Sequence, residues 1–309
     1  MTKYEKVSEL PGVGEATMEK LAGAGLDTIL SLAVSNVATI AELTGMSEAK
    51  ARALIKTCRD SMNIGFINAV DENKRQDSVL RIPSGSKKLD ELLNGGFICG
   101  LVSEAYGHFG SAKSQIGHQL CVNIQKINPD YKAIYIDTEN AFRTKRIIEM
   151  ATGQGLDPDK VLNNIKLAKT FNSDHQILTI EQVEQAIKND PTIKLLVVDS
   201  IISHFRIDYQ GRGQLADRQQ KLNKHVNTLV RLAMLYDICV FFTNQVMSDP
   251  GQSYGDPTRP VGGHVLSHAA RYILHLRKSK AGITAKLVDA PDLPDGEVIF
   301  QVTQNGIED

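Results

Sequence analysis

The 309-residue chain predicts an α/β fold: a largely parallel central sheet with flanking helices, preceded by a small all-α domain. Short apolar runs suited to buried strands, LVSEAY (101–106), KAIYID (132–137), KLLVVD (194–199) and ICVFFTN (238–244), alternate with helical periodicity over 113–127, 143–153, 176–189 and 214–236. Such alternation means crossovers, and crossovers make neighbouring strands parallel. The first sixty residues instead carry short helical patterns separated by glycine turns. The tail, RYILHLRK, ITAKLVDA and EVIFQV, reads as further strands joined by turns, expected to be antiparallel.

Composition excludes more than it assigns. Apolar residues at 42% and charged residues at 23% are ordinary for a soluble globular protein. No run reaches the ~18 apolar residues of a membrane span, and MTKYEKVSEL lacks the apolar core of a signal peptide, so no membrane partner and a cytoplasmic setting are expected. Cys58, Cys99, Cys121 and Cys239 lie far apart, which indicates neither a disulfide framework nor a zinc site. With net charge −1, contact with nucleic acid would need locally concentrated cations.

Three segments follow: a helical domain at 1–60, a linker at 61–79 and the α/β core at 80–309. In SELPGVGEATMEKLAGAG, Gly12 and Gly14 permit a tight turn whose amides face an anion at a helix start. A looser copy turns at Gly45-Met46-Ser47, with Lys50, Arg52, Lys56 and Arg59 beside it. Paired turns of this kind resemble the helix-hairpin-helix module, which holds DNA phosphates without reading sequence; the plainer reading is two ordinary helix connections. In the linker, the charged run DENKRQD (71–77) reads as solvated, and Phe66-Ile67-Asn68-Ala69 before it fits F-x-x-A.

Ligands of open α/β sheets bind at the carboxyl ends of strands, and three such ends carry complementary chemistry. Gly107-His108-Phe109-Gly110-Ser111-Ala112-Lys113-Ser114 follows one strand and opens a helix, matching G-x-x-x-x-G-K-[ST] except at Ala112. That chemistry needs backbone amides around a β-phosphate, a lysine between β- and γ-phosphates and a hydroxyl on Mg²⁺. Asp199 ends a second strand as a candidate support for the metal. Glu139, in Asp137-Thr138-Glu139-Asn140, can polarise a water as general base. Taken singly, each is also an ordinary turn or helix cap; together and in order they point to ATP with Mg²⁺.

From Leu10 to Asp309 the chain resembles the archaeal RadA recombinases, relatives of bacterial RecA. The stretches that carry the resemblance are IPSGSKKLDELLNGGF, IDTENAFRTKRI, DSIISHFRIDYQGRGQLADRQQKL, TNQV, GDPTRPVGGHVLSHAAR and DAPDLPDGE. The resemblance implies a RecA-like P-loop ATPase core behind the helix-hairpin-helix domain. It also implies homo-oligomeric filaments or rings on single-stranded DNA, and pairing with double-stranded DNA. Lys113 and Ser114 then go to phosphate and magnesium, Asp199 to the metal and Glu139 to water. Arg146 matches an arginine that stacks on adenine, and Gln245 a sensor of the γ-phosphate. The Asp289–Pro294 turn, with Pro291, matches a cap over the neighbouring subunit's nucleotide.

Arg206, Arg212 and Arg218, around Gly211-Arg212-Gly213, resemble the first DNA-binding loop of that family. Without the resemblance they read as a solvated helix face. Arg259, Gly262, Gly263 and His264 resemble the second loop, whose first half, MSDPGQSY (247–254), has no cation. Phe66 and Ala69 match the docking motif by which one subunit fills a pocket and extends the sheet of the next.

The phosphate loop departs from the family's usual GEFGSGKTQ: His108 replaces glutamate and Ala112 replaces glycine. A methyl where backbone must approach the β-phosphate predicts weakened nucleotide affinity or slow turnover. Three readings remain: an active strand-exchange ATPase, an accessory paralog with weak or absent ATPase that binds DNA or caps filaments, and an ATPase with no DNA role.

Overall fold

The computed structural model describes residues 4, 6–62, 66–248 and 258–309. It comprises two compact units, Met1–Ser78 and Val79–Asp309.

The first unit contains α1 (Glu15–Gly23), α2 (Ile29–Ala33), α3 (Val37–Thr44), α4 (Glu48–Ser61) and α5 (Ala69–Asp77). Short polar side chains start four of them: Thr28, Asn36, Ser47 and Asn68 each accept from a first-turn amide. Gly45 ends α3 in the left-handed region at φ 77°, where an L side chain is disfavoured. Leu10, Leu21, Leu32, Ile40, Ile55 and Cys58 form its apolar core.

The charged run expected to be solvated is so, and it is wound into α5. Its nine residues bury nothing, so apolar periodicity could not reveal a helix. Local charge accounts for it instead: Arg75 pairs with Glu72 and Lys74 with Asp71, each at i,i+3, and Glu72 is held down to about 2 by the Arg75 guanidinium and the Gln76 amide.

In the second unit, β1 (Arg81–Ile82) pairs antiparallel with β2 (Phe97–Ile98) around α6 (Lys87–Leu92). Then follow β3 (Val102–Gly107), α7 (Lys113–Ile127), β4 (Lys132–Asp137), α8 (Thr144–Gly153), α9 (Pro158–Asn163), β5 (Ile165–Lys169), α10 (Ser173–Asn189) and β6 (Ile193–Asp199). The chain continues through α11 (Ser203–Asp208), α12 (Leu215–Tyr236), β7 (Cys239–Asn244), β8 (Val246–Ser248), β9 (Thr258–Pro260) and α13 (His264–Ala269). It closes with β10 (Tyr272–Ser279), β11 (Gly282–Asp289), β12 (Gly296–Thr303) and β13 (Gly306–Glu308).

Among the described residues, nine strands form one sheet in the order β13-β12-β11-β10-β3-β7-β6-β4-β5. All pairings from β5 through β10 are parallel, and those from β10 to β13 are antiparallel. The tail expected to be antiparallel is so: β10, β11 and β12 pair antiparallel in succession, and β10 joins β3 in parallel. The long passage from β7 through α13 lets β10 lie parallel to β3, whereas the two-residue turn at 280–281 forces β11 to run back.

Alternate residues face opposite sides of the sheet. Tyr135, Val197 and Phe241 join Ile116 and Leu120 of α7 in one core. Ile134, Leu196 and Phe242 join Val183 of α10 and Leu222, Val226 and Leu229 of α12 in the other. Both faces are covered, which is why these strands read as continuous apolar runs. All four cysteines are buried, and burial pushes the thiols of Cys58 and Cys99 up to about 11 and about 12. Among the described residues, no helix is long and apolar enough to cross a membrane, and no histidine, cysteine and carboxylate cluster could hold a metal.

Candidate active site

A cavity of about 870 Å³ opens at the carboxyl ends of β3, β4 and β6, walled on one side by the β10–β11 turn and β12. The loop after β3 lines it from Phe109 to Gln115. Gly107 brings this loop hard against β10, since a Cβ there would lie 2.2 Å from the Leu276 carbonyl oxygen. Gly110 and Ala112 both adopt positive φ, 77° and 70°, and Ala112 is the residue immediately before α7. The loop so wound ends in the free amides of a 15-residue helix, a place where anions are stabilised. The Ala112 methyl belongs to the apolar core cluster with 9% exposure. The departure from glycine therefore bears on backbone torsion as well as on the cavity that Ala112 lines.

Lys113 folds back across the loop, donating from Nζ to the carbonyl oxygens of Gly107 (2.8 Å) and His108 (2.9 Å). Burial lowers its pKa, while Asp199 and Glu139 oppose that shift. The Ser111 hydroxyl is buried with no partner among the described residues, a donor aimed at nothing the chain supplies. Ser114 lies next to Lys113 on the cavity wall. His108 and Phe109 are exposed, Phe109 completely at 104%.

Asp199 is buried at the end of β6, where Tyr135 donates to Oδ2 (2.7 Å) and Thr243 to Oδ1. Glu139 is exposed beyond β4, and its Oε1 accepts from Ser200 Oγ and Gln245 Nε2, each at 2.7 Å. Gln245 Oε1 in turn accepts from Arg206 Nη1 at 2.6 Å. Sequence spacing could not reveal these contacts, because they join residues 39 and 106 positions apart.

Several supporting contacts could not be read from the sequence. Asp137 accepts from the backbone amides of Glu139, Ala141 and Phe142 and so shapes the turn that presents Glu139. Thr138 and Ser200 exchange hydrogen bonds across the ends of β4 and β6. Arg143, Lys278 and Lys280 also line the cavity. Arg146 lines it too, its guanidinium held by Gln115 Oε1, Glu149 and the carbonyl oxygens of Thr303 and Gln304.

The remaining predicted residues lie elsewhere. Arg206 is exposed on α11, Arg212 stands in the turn before α12, and Arg218 is in the first turn of α12. Arg259 is exposed on β9; Gly262 and Gly263 turn at φ 99° and 58° into α13, which His264 opens. Most of MSDPGQSY lies outside the described residues. Phe66 is fully exposed and Ala69 begins α5. Asp289 ends β11, and Pro291 and Pro294 follow it, all exposed and away from this subunit's cavity. In the helical unit, Gly12 (φ 84°) and Gly45 line one cavity of 490 Å³ together with Lys50.

The sequence profile of a SAM-like helix-hairpin-helix tandem matches residues 4–60. The "DNA repair and recombination protein RadA" of Metallosphaera sedula is 46% identical over 313 aligned residues, covering 99% of this chain and 96% of its own length. The Rad51 profile matches residues 74–309 and takes in every element around the cavity, so this chain belongs to the Rad51 family of recombinases, alongside archaeal RadA.

Proposed function

We propose that the chain is an ATP-dependent DNA recombinase that assembles on single-stranded DNA and catalyses homologous pairing and strand exchange. The observation that carries this reading is the convergence of Lys113, Asp199 and Glu139 on one cavity at the strand ends, with Glu139 connected through Gln245 to Arg206.

Each side chain has a distinct task. The amides at the start of α7 and the Lys113 ammonium hold the phosphates, the ammonium exchanging its two carbonyl partners for phosphate oxygens. The unpartnered Ser111 hydroxyl and the donors around it fit such an anion. Ser114 and Asp199 would hold Mg²⁺, which when bound neutralises charge developing on the phosphates. Glu139 orients and deprotonates the attacking water, and Arg146 walls the end of the cavity nearest β12. Phosphate binding by arginines of the two loops would be largely blind to sequence and weakened by salt.

ATP hydrolysis measured with and without single-stranded DNA tests this. We expect stimulation by DNA. Good DNA binding without hydrolysis would favour the filament-capping paralog, for which Ala112 at φ 70° is the specific argument. Hydrolysis indifferent to DNA would leave an ATPase without a DNA role.

A further inference from the structure

Of the residues that line the active-site cavity, Glu139 and Asp199 bring carboxylates to it and Ser114 brings a hydroxyl beside the phosphate loop. Oxygen donors of this kind fit a hard divalent cation. Among the described residues, no group of three histidine, cysteine or carboxylate ligands exists, so an ion held here takes most of its shell from phosphate and water. Mg²⁺ suits that arrangement, because it binds few protein oxygens and parts reluctantly with water. Ca²⁺ differs, since it takes about six to eight oxygens from adaptable ligands and often uses both oxygens of one carboxylate.

The way Asp199 is held decides between the two ions. It is buried at the end of β6, which lies between β7 and β4 in the sheet. From β4, Tyr135 Oη donates to Oδ2 (2.7 Å); from β7, Thr243 Oγ1 donates to Oδ1. Tyr135 and Thr243 are themselves fully buried, and a buried hydroxyl deprived of its acceptor is costly. The Tyr135 ring cannot follow a moving carboxylate, because it stacks on His118 (5.4 Å between centroids) and meets Phe142 edge-on at 4.9 Å. Each oxygen of Asp199 is thus tied to a different neighbouring strand, and the carboxylate is unable to turn both toward one ion. We propose that Tyr135 and Thr243 are positioning residues that make the nucleotide site selective for Mg²⁺ over Ca²⁺, by fixing Asp199 as an acceptor for water on the ion and barring it from chelating the ion itself. The selectivity lies in rigidity, supplied by two hydroxyls that stand behind the carboxylate and do not line the cavity. The proposal rests on the nucleotide-binding part of the reading above.

The test measures binding of a labelled non-hydrolysable ATP analogue, with Mg²⁺ and with Ca²⁺, to wild type, Tyr135→Phe and Thr243→Val. Both substitutions keep the shape of the side chain and remove the hydroxyl, and thermal melting shows whether each variant is folded; if one is not, the other carries the test. Wild type should bind the analogue more tightly with Mg²⁺ than with Ca²⁺. Each variant should shrink that preference about fivefold, the factor that one ordinary hydrogen bond commands, chiefly by tightening binding with Ca²⁺. With Mn²⁺ in place of Mg²⁺, broadening of its paramagnetic resonance by ¹⁷O-labelled water counts the waters on the ion, and Tyr135→Phe should lower that count. An equal loss of affinity with both cations refutes the proposal, since the hydroxyls would then merely support the fold. An unchanged preference, an unchanged water count, or a wild type indifferent to the cation refutes it as well. A wild type that binds the analogue with neither cation removes the nucleotide reading and the selectivity together, which sets that failure apart from the others.

Discussion

Ala112 holds φ 70°, a region that costs a non-glycine residue roughly 1–2 kcal/mol. Against this, its methyl is buried, worth about 0.8 kcal/mol, and alanine loses less chain entropy on folding than glycine, by about 0.4–1 kcal/mol. The terms nearly cancel, so Ala112→Gly should leave thermal stability almost unchanged. Nucleotide affinity is different, because it depends on how often the loop occupies the wound form. Removing about 1 kcal/mol of torsional cost from that form should tighten binding of ATP with Mg²⁺ by up to about fivefold, measured with labelled nucleotide. Equal affinities would remove the torsional argument. The sequence marked this residue as the odd one in the loop, on grounds of close approach and unusual dihedrals, and the fold supplies the dihedral itself.

Strand β3 carries a carboxyl group where its neighbours are apolar. Glu104 has no exposure, and Asn244 Nδ2 donates to its Oε1 at 2.7 Å while Oε2 has no partner among the described residues. Burial pushes its pKa up to about 7, only partly offset by Asn244. Because the folded state holds this proton where the unfolded chain has released it, stability falls as pH rises from about 4.5 to 7 and levels off above. The loss amounts to about 3 kcal/mol for a shift of this size. Glu104→Gln should flatten the profile and stabilise the protein at pH 8, read from denaturant midpoints between pH 5 and pH 8. The other features of β3 were legible in advance, as were β4, β6 and β7, because strands covered on both faces leave unbroken apolar runs. The edge strand β5 was not: its pattern is half-exposed, and a short run such as IKLAK gives no clear period. Helix α5 escaped for the opposite reason, since only charged pairs on a solvated surface mark it.

For the whole molecule, the unfinished business lies on the surface. Phe66, Ile67 and Val70 are large apolar side chains at 111%, 63% and 61% exposure, clustered within five residues. Apolar groups concentrated in this way mark a contact surface, and we propose that F-x-x-A docking between copies uses it. Phe66→Glu should therefore reduce polymers to chains of 33.9 kDa or short rings by light scattering; polymers of unchanged mass would dispose of the docking assignment. The motif could be read from sequence because it is local. The hydrogen bonds that join Arg206, Gln245 and Glu139 could not, because folding alone brings those three together. The sealed cysteines have a practical value here. With every native thiol inaccessible to a maleimide dye, a cysteine introduced at exposed Ile207, beside Arg206, would be the sole site of labelling, and its fluorescence would follow α11 as it meets a partner.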